Sequence, residues 1–229
     1  MKIAVTRLAG KEKSDETRCA RFGHSCYSVH PLRSEIHQDT INVFVDKVNR
    51  DGFDGIFFTS ALPAKILGPL IHKYPRVIAI GPQTARELRE NGIVCEVLAS
   101  FYSRDFVPYL GDWVRGKKIG IPRADVPNPS LMHAITAAGG IPVEFRCYSL
   151  EASGEFLSLE CAEAILFTSA MSFTKALWTP RPDLLIMAIG EVTAAAMRNA
   201  GTNPNVIGDG SLEGTFCALN DYLSRSGAV

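Results

Sequence analysis

Two short segments of the chain recur at a fixed spacing. Phe58-Thr59-Ser60-Ala61 returns as Phe167-Thr168-Ser169-Ala170, and Gly81 with Thr84-Ala85 returns as Gly190 with Thr193-Ala194. One offset of 109 carries twelve identities from the stretch between Ile56 and Gly92 onto the stretch between Ile165 and Gly201. A weaker match at an offset of 116 places Ile3, Arg7 and Gly23 on Ile119, Arg123 and Gly139. Self-similarity at a fixed offset means that one supersecondary unit is used more than once, so the chain is predicted to be two copies of a two-part unit. Its 229 residues suit two compact domains, each of ordinary size.

Short apolar runs alternate with longer segments of helical period. The runs are Ile3 to Thr6, Ser25 to Val29, Gly55 to Phe58, Val77 to Ile80, Val94 to Leu98, Ile119 to Ile121, Val143 to Cys147, Ala164 to Phe167, Leu185 to Ile189 and Asn205 to Ile207. Continuous apolar runs between helices indicate parallel strands buried on both faces, which makes the class α/β. Helix punctuation agrees. Asn128-Pro129 reads as N-cap and first helical residue, and Gly23, Gly92, Gly139 and Gly201 follow helical segments where a left-handed residue is expected.

Composition excludes several functions. Lys plus Arg and Asp plus Glu are 24 each, and no basic run exceeds a pair, so a nucleic-acid partner is not expected. Met1-Lys2-Ile3-Ala4-Val5 enters a strand pattern at once, and no apolar stretch has transmembrane length, which reads as a cytoplasmic protein without a membrane partner. Six cysteines form no C-x-x-C pair and five histidines form no i, i+4 pair, so neither a disulfide framework nor a metal is expected. Walker, Rossmann and nucleophile-elbow motifs are all absent.

The chemistry is expected where strands give way to helices. The turns are Thr6-Arg7, Thr59-Ser60-Ala61, Gly81-Pro82-Gln83-Thr84, Thr168-Ser169-Ala170 and Gly190-Glu191-Val192-Thr193. In a parallel sheet they lie at the carboxyl edge, where helix amides and hydroxyls hold anions without net positive charge. Each Thr or Ser fits a plain helix cap as well as a ligand contact.

In their order and spacing, Asp54-Gly55-Ile56-Phe57-Phe58-Thr59-Ser60-Ala61, Ala79-Ile80-Gly81-Pro82-Gln83-Thr84-Ala85, Ile165-Leu166-Phe167-Thr168-Ser169 and Ala188-Ile189-Gly190-Glu191-Val192-Thr193-Ala194 resemble the motifs of uroporphyrinogen-III synthases. Val5-Thr6-Arg7, Ile121-Pro122-Arg123, Gly139-Gly140 and Tyr148 extend the resemblance over nearly the whole chain. It implies two flavodoxin-like α/β domains, 1–33 with 153–229 and 37–147, joined by a two-segment hinge near 34–36 and 148–152, with the active site in the cleft between them. The implied reaction cyclises hydroxymethylbilane, a linear tetrapyrrole with eight carboxylates, to uroporphyrinogen III. Water is lost and the last ring is inverted, and no cofactor is used. The chain is then a monomer whose partner is its small-molecule substrate.

By motif match, Tyr148 is expected to assist departure of the hydroxyl, a hinge tyrosine that packs locally being the competing role. Arg7 and Arg123, at equivalent strand ends, are expected to clamp substrate carboxylates or else to form salt bridges. Gly81, Gly190, Ser60, Ser169, Thr84 and Thr193 are the expected carboxylate-binding residues, with Ser103 and Ser211 as later caps facing the same cleft. The family more often continues its Thr-Ser-Ala turn with Asn-Ala-Val, whereas Leu62-Pro63-Ala64 follows here. Pro63 is therefore expected to impair the first turn and leave the second more intact. Two other functions stay open: a non-catalytic sensor that binds a tetrapyrrole or other polyanion, and an enzyme acting on a phosphorylated sugar.

Overall fold

The computed structural model of the chain describes residues 1–8 and 15–226. The elements run β1 (Lys2–Leu8), α1 (Asp15–Ala20), β2 (Ser25–Ile36), α2 (Gln38–Asn49), β3 (Gly55–Phe58), α3 (Ala61–Leu67), β4 (Arg76–Ala79), α4 (Pro82–Glu90) and β5 (Glu96–Val97). They continue with α5 (Phe106–Leu110), β6 (Lys118–Ala124), α6 (Pro129–Ala137), β7 (Ile141–Ala152), β8 (Ala164–Phe167), α7 (Ala170–Thr174), β9 (Leu185–Ala188), α8 (Glu191–Asn199), β10 (Val206–Ile207) and α9 (Leu212–Ser226). Each expected apolar run contributes a strand, and the class is α/β. The elements β3, β4 and α4 begin and end 109 residues before β8, β9 and α8.

Two compact units divide the chain, 1–34 with 150–229 as unit 1 and 35–149 as unit 2. In unit 1 the strand order is β10-β9-β8-β1-β2, and in unit 2 it is β7-β6-β3-β4-β5. The pairings within each unit are parallel, so within a unit all strands point their carboxyl ends to one edge. Helices join successive strands because a parallel return needs a long crossover.

Strand side chains alternate between faces, and both faces are covered. In unit 1, Ile3, Val5, Ala164 and Leu166 pack with Leu212, Phe216 and Leu219 of α9, while Ala4, Ile165 and Phe167 pack on the other face with Ala194 and Met197 of α8. In unit 2, Phe57, Ile78, Ile119 and Ile121 pack with Phe106, Leu110, Leu131 and Ile135. The opposite face gathers Phe44, Phe53 and Phe145, with ring centroids 5.0 to 5.8 Å apart. Each such fully buried side chain contributes about 1.5–3 kcal/mol, which is why the strands read as unbroken apolar runs.

Helix ends follow the punctuation. The Asn128 side chain accepts from the Leu131 amide at 3.2 Å, and Gly23, Gly92, Gly139 and Gly201 have φ of 80, 73, 81 and 79°. Strands β2 and β7 are longer than their apolar runs, each 12 residues, so the polar segments from His30 to Ile36 and from Tyr148 to Ala152 are also strand. Their polarity hid them from a search for apolar runs.

Candidate active site

The carboxyl edge of unit 2 carries, in sheet order, Tyr148 on β7, Arg123 on β6, Ser60 after β3, Gly81 after β4 and Phe101 beyond β5. Ser60 stands at the N-cap of α3 with φ -163° and ψ 162°, and Ser169 at the N-cap of α7 with φ -163° and ψ 159°. The backbones match, yet the side chains do different things. Ser169 Oγ accepts from the Ser172 amide at 3.0 Å, and Ser172 Oγ accepts in return from the Ser169 amide at 3.0 Å, a closed capping box. In α3 the residue at that third position is Pro63, which has no amide to donate, and Ser60 makes no side-chain cap bond.

The Ser60 hydroxyl instead lies 3.4 Å from the Tyr148 hydroxyl. Pro63 thus leaves the first turn without the serine cap that the second has. It frees the first serine from capping, while the second is consumed by its own helix. Tyr148 is 6% exposed, and its carbonyl accepts from the Asp125 amide at 2.7 Å, so the ring is held from behind with its hydroxyl at the serine turn. Burial pushes the neighbouring Cys147 thiol up to about 12, which leaves it an inert packing group.

The remaining expected residues of this edge are less free. Arg123 is 6% exposed, donates to Glu144 Oε1 at 2.9 Å and donates again to the Val126 carbonyl. Glu144 also receives Arg146 at 3.3 Å, and Arg146 meets Asp125 at 3.0 Å. Thr84, in the first turn of α4, is a buried residue. Ser103 caps no α-helix. It opens a single 3-10 turn and accepts from Asn128 Nδ2 at 3.3 Å.

At the carboxyl edge of unit 1, Arg7 is held by both oxygens of buried Asp15, at 2.5 and 3.1 Å. Both arginines thus form salt bridges. Thr6 lies within the same edge, its Oγ1 donating to Ser172 Oγ at 3.1 Å and accepting from the Thr168 amide at 2.9 Å. Thr193 is buried like Thr84. Gly190 sits where a Cβ would come within 3.2 Å of the Gly210 backbone, so a larger residue would need that backbone to give by a few tenths of an ångström. Ser211 accepts from the Gly214 amide at 3.0 Å, capping α9 as expected, and donates to Asp209 at 2.7 Å.

Two features escaped the sequence. A cavity of about 330 Å³ in unit 1 is lined by Leu8, His30, Leu32, Arg33, Ser34, Ser153 and Glu155, and its polar residues come from the polar end of β2 and the segment just after β7. Phe101 has φ 61°, in the left-handed region, which costs a bulky residue about 1–2 kcal/mol. No spacing or periodicity in the sequence signals it. Among the described residues no group of three or more His, Cys, Asp and Glu is arranged to hold a metal ion, and no helix is long and apolar enough to cross a membrane.

Parallel α/β units that gather hydroxyls and helix amides at their carboxyl edges form the class of α/β proteins that bind small anionic molecules there. Within that class, the model of the family described as Uroporphyrinogen-III synthase HemD matches residues 16–212, and the chain belongs to this family. It is similar in fold to the uroporphyrinogen-III synthetase of Helicobacter pylori, at 15% identity over 98% of this chain and 100% of that one, with a TM-score of 0.60. It is likewise similar to a mutant uroporphyrinogen III synthase of the extreme thermophile Thermus thermophilus, at 16% identity over 100% of both chains, with a TM-score of 0.55. A search of curated protein sequences finds no match. The family's activity is that of a cyclising lyase in porphyrin and haem biosynthesis.

Proposed function

We propose that this chain cyclises hydroxymethylbilane to uroporphyrinogen III, and that the hydroxyl pair of Tyr148 and Ser60 assists loss of the substrate's hydroxyl. The pair's 3.4 Å approach, made possible by Pro63, is the observation that carries the assignment of roles. Ser60 donates to the Tyr148 oxygen, and Tyr148 donates its own proton to the departing hydroxyl, which leaves as water. The electrophilic azafulvene that remains is attacked by the last pyrrole ring through its substituted carbon. Ring inversion follows through a spiro intermediate, and the proton shed on rearomatisation restores Tyr148.

Orientation does most of the remaining work, because the uncatalysed closure gives the other isomer. The eight carboxylates need many modest contacts rather than one cationic cluster, and the amides at the starts of α3 and α4 suit that division. The proposed protein is a cytoplasmic monomer, and its balanced charge supports a chain that engages neither nucleic acid nor an anionic membrane surface. Tyr148→Phe, assayed with hydroxymethylbilane, is expected to lower kcat about a hundredfold with an unchanged melting curve. Full turnover to the same isomer would remove Tyr148 from the mechanism.

A further inference from the structure

We infer that the segment from Phe101 to Arg104 is a recognition lip that stacks one pyrrole ring of the substrate and binds one of that ring's carboxylates. The inference rests on the cyclase reading above. Phe101 and Tyr102 are consecutive aromatic residues that remain 52% and 58% exposed, so neither is placed by core packing. The Phe101 ring lies over the Gly81 turn, with its nearest atom 3.4 Å from where a Cβ on residue 81 would stand. The Phe101 backbone has φ 61°, in the left-handed region. Glycine adopts that conformation without strain, so a bulky side chain there must be kept for what its ring does.

Charge completes the lip. The Arg104 guanidinium lies 4.5 Å from the Tyr102 ring centroid, and no ion pair engages it among the described residues. The nearby carboxylate, Asp105, is bonded by the Ser100 hydroxyl, and Ser103 is held by Asn128. An exposed aromatic face beside a cation that lacks a carboxylate partner fits a flat aromatic ring with an acidic arm. A substituted pyrrole of hydroxymethylbilane is such a group. The lip follows β5 on the same carboxyl edge that carries Ser60 and Tyr148.

The test measures KM and kcat with hydroxymethylbilane for the wild type, Phe101→Asn, Phe101→Trp and Arg104→Gln. Asparagine tolerates the left-handed backbone while removing the ring. Phe101→Asn is expected to raise KM about tenfold, as loss of one stacked ring does elsewhere. Phe101→Trp should stay within about twofold of wild type, because a ring is retained. Arg104→Gln, a change at an exposed side chain, should raise KM several-fold with the melting temperature unmoved. A wild type that makes uroporphyrinogen III while Phe101→Asn or Arg104→Gln keeps the wild-type KM overturns the lip alone. A wild type that makes no uroporphyrinogen III overturns the cyclase reading and the lip with it.

Discussion

Replacing Pro63 by alanine isolates the feature that distinguishes the two serine turns. The variant restores an amide at the third position of α3, where Ser172 supplies one in α7. Because Ser60 and Ser169 share their backbone angles to within 3° in ψ, Ser60 in the variant should swing onto the new amide. Such a cap is worth about 1 kcal/mol, whereas the contact it replaces, at 3.4 Å, is at the far limit of a hydrogen bond. About 1 kcal/mol corresponds to a population ratio of about five. If only the rotamer facing Tyr148 is productive, kcat falls to about a fifth of wild type with KM little changed. Against the cap stand the lost burial of the Pro63 ring and the greater freedom of the unfolded chain, about 1.5 and 0.5 kcal/mol. The net loss is about 1 kcal/mol, or a melting temperature lower by roughly 2–4 °C. Steady-state kinetics and a melting curve measure both. Wild-type kcat in Pro63→Ala, together with a structure showing Ser60 on the residue-63 amide, would refute the role given to the free serine.

Other consequences follow from the ion pairs and thiols. Arg123→Ala strands Glu144 in a partly buried site and should cost about 2–3 kcal/mol by denaturant unfolding, with Arg146 limiting the damage through its own 3.3 Å contact. The hydrogen bond from Arg18 holds the Glu213 carboxyl down at about 2, below its ordinary 4.5. Its stabilisation is therefore complete above pH 4.5 and is lost as pH falls toward 2. Glu213→Gln should destabilise by up to about 1 kcal/mol at pH 7, the value for an exposed pair. The gap to wild type should close over that acid range in pH-dependent melting. In alkylation followed by mass spectrometry, exposed Cys161, whose thiol is held low by hydrogen bonds from Lys2 and Tyr27, should react first. Cys26 and Cys147, buried and pushed up to about 12, should react only on unfolding.

Strands buried on both faces announced themselves, because every residue from Gly55 to Phe58 and from Ala164 to Phe167 must be apolar or small to pack there. Caps such as Asn128 were equally readable, being local chemistry. Long-range partners were not. The pairing of Arg7 with Asp15 and of Arg123 with Glu144 depends on which side chain faces a neighbouring element, and no spacing rule encodes that. The burial of Thr84 and Thr193 is likewise a packing outcome. Pro63 shows where a local rule stops: its missing amide leaves Ser60 uncapped, while the approach of that serine to Tyr148 is a long-range outcome. Phe101 was overlooked because an exposed aromatic in a loop carries no periodic signal, and only its backbone angle sets it apart.

The central claim concerns product as much as rate, since hydroxymethylbilane closes unaided to the wrong isomer. The direct measurement supplies fresh hydroxymethylbilane to the purified protein and separates type I from type III uroporphyrin after oxidation of the products. Predominantly type III product, formed in proportion to protein added, is the predicted result. Type I alone, formed at the rate seen without protein, would contradict it.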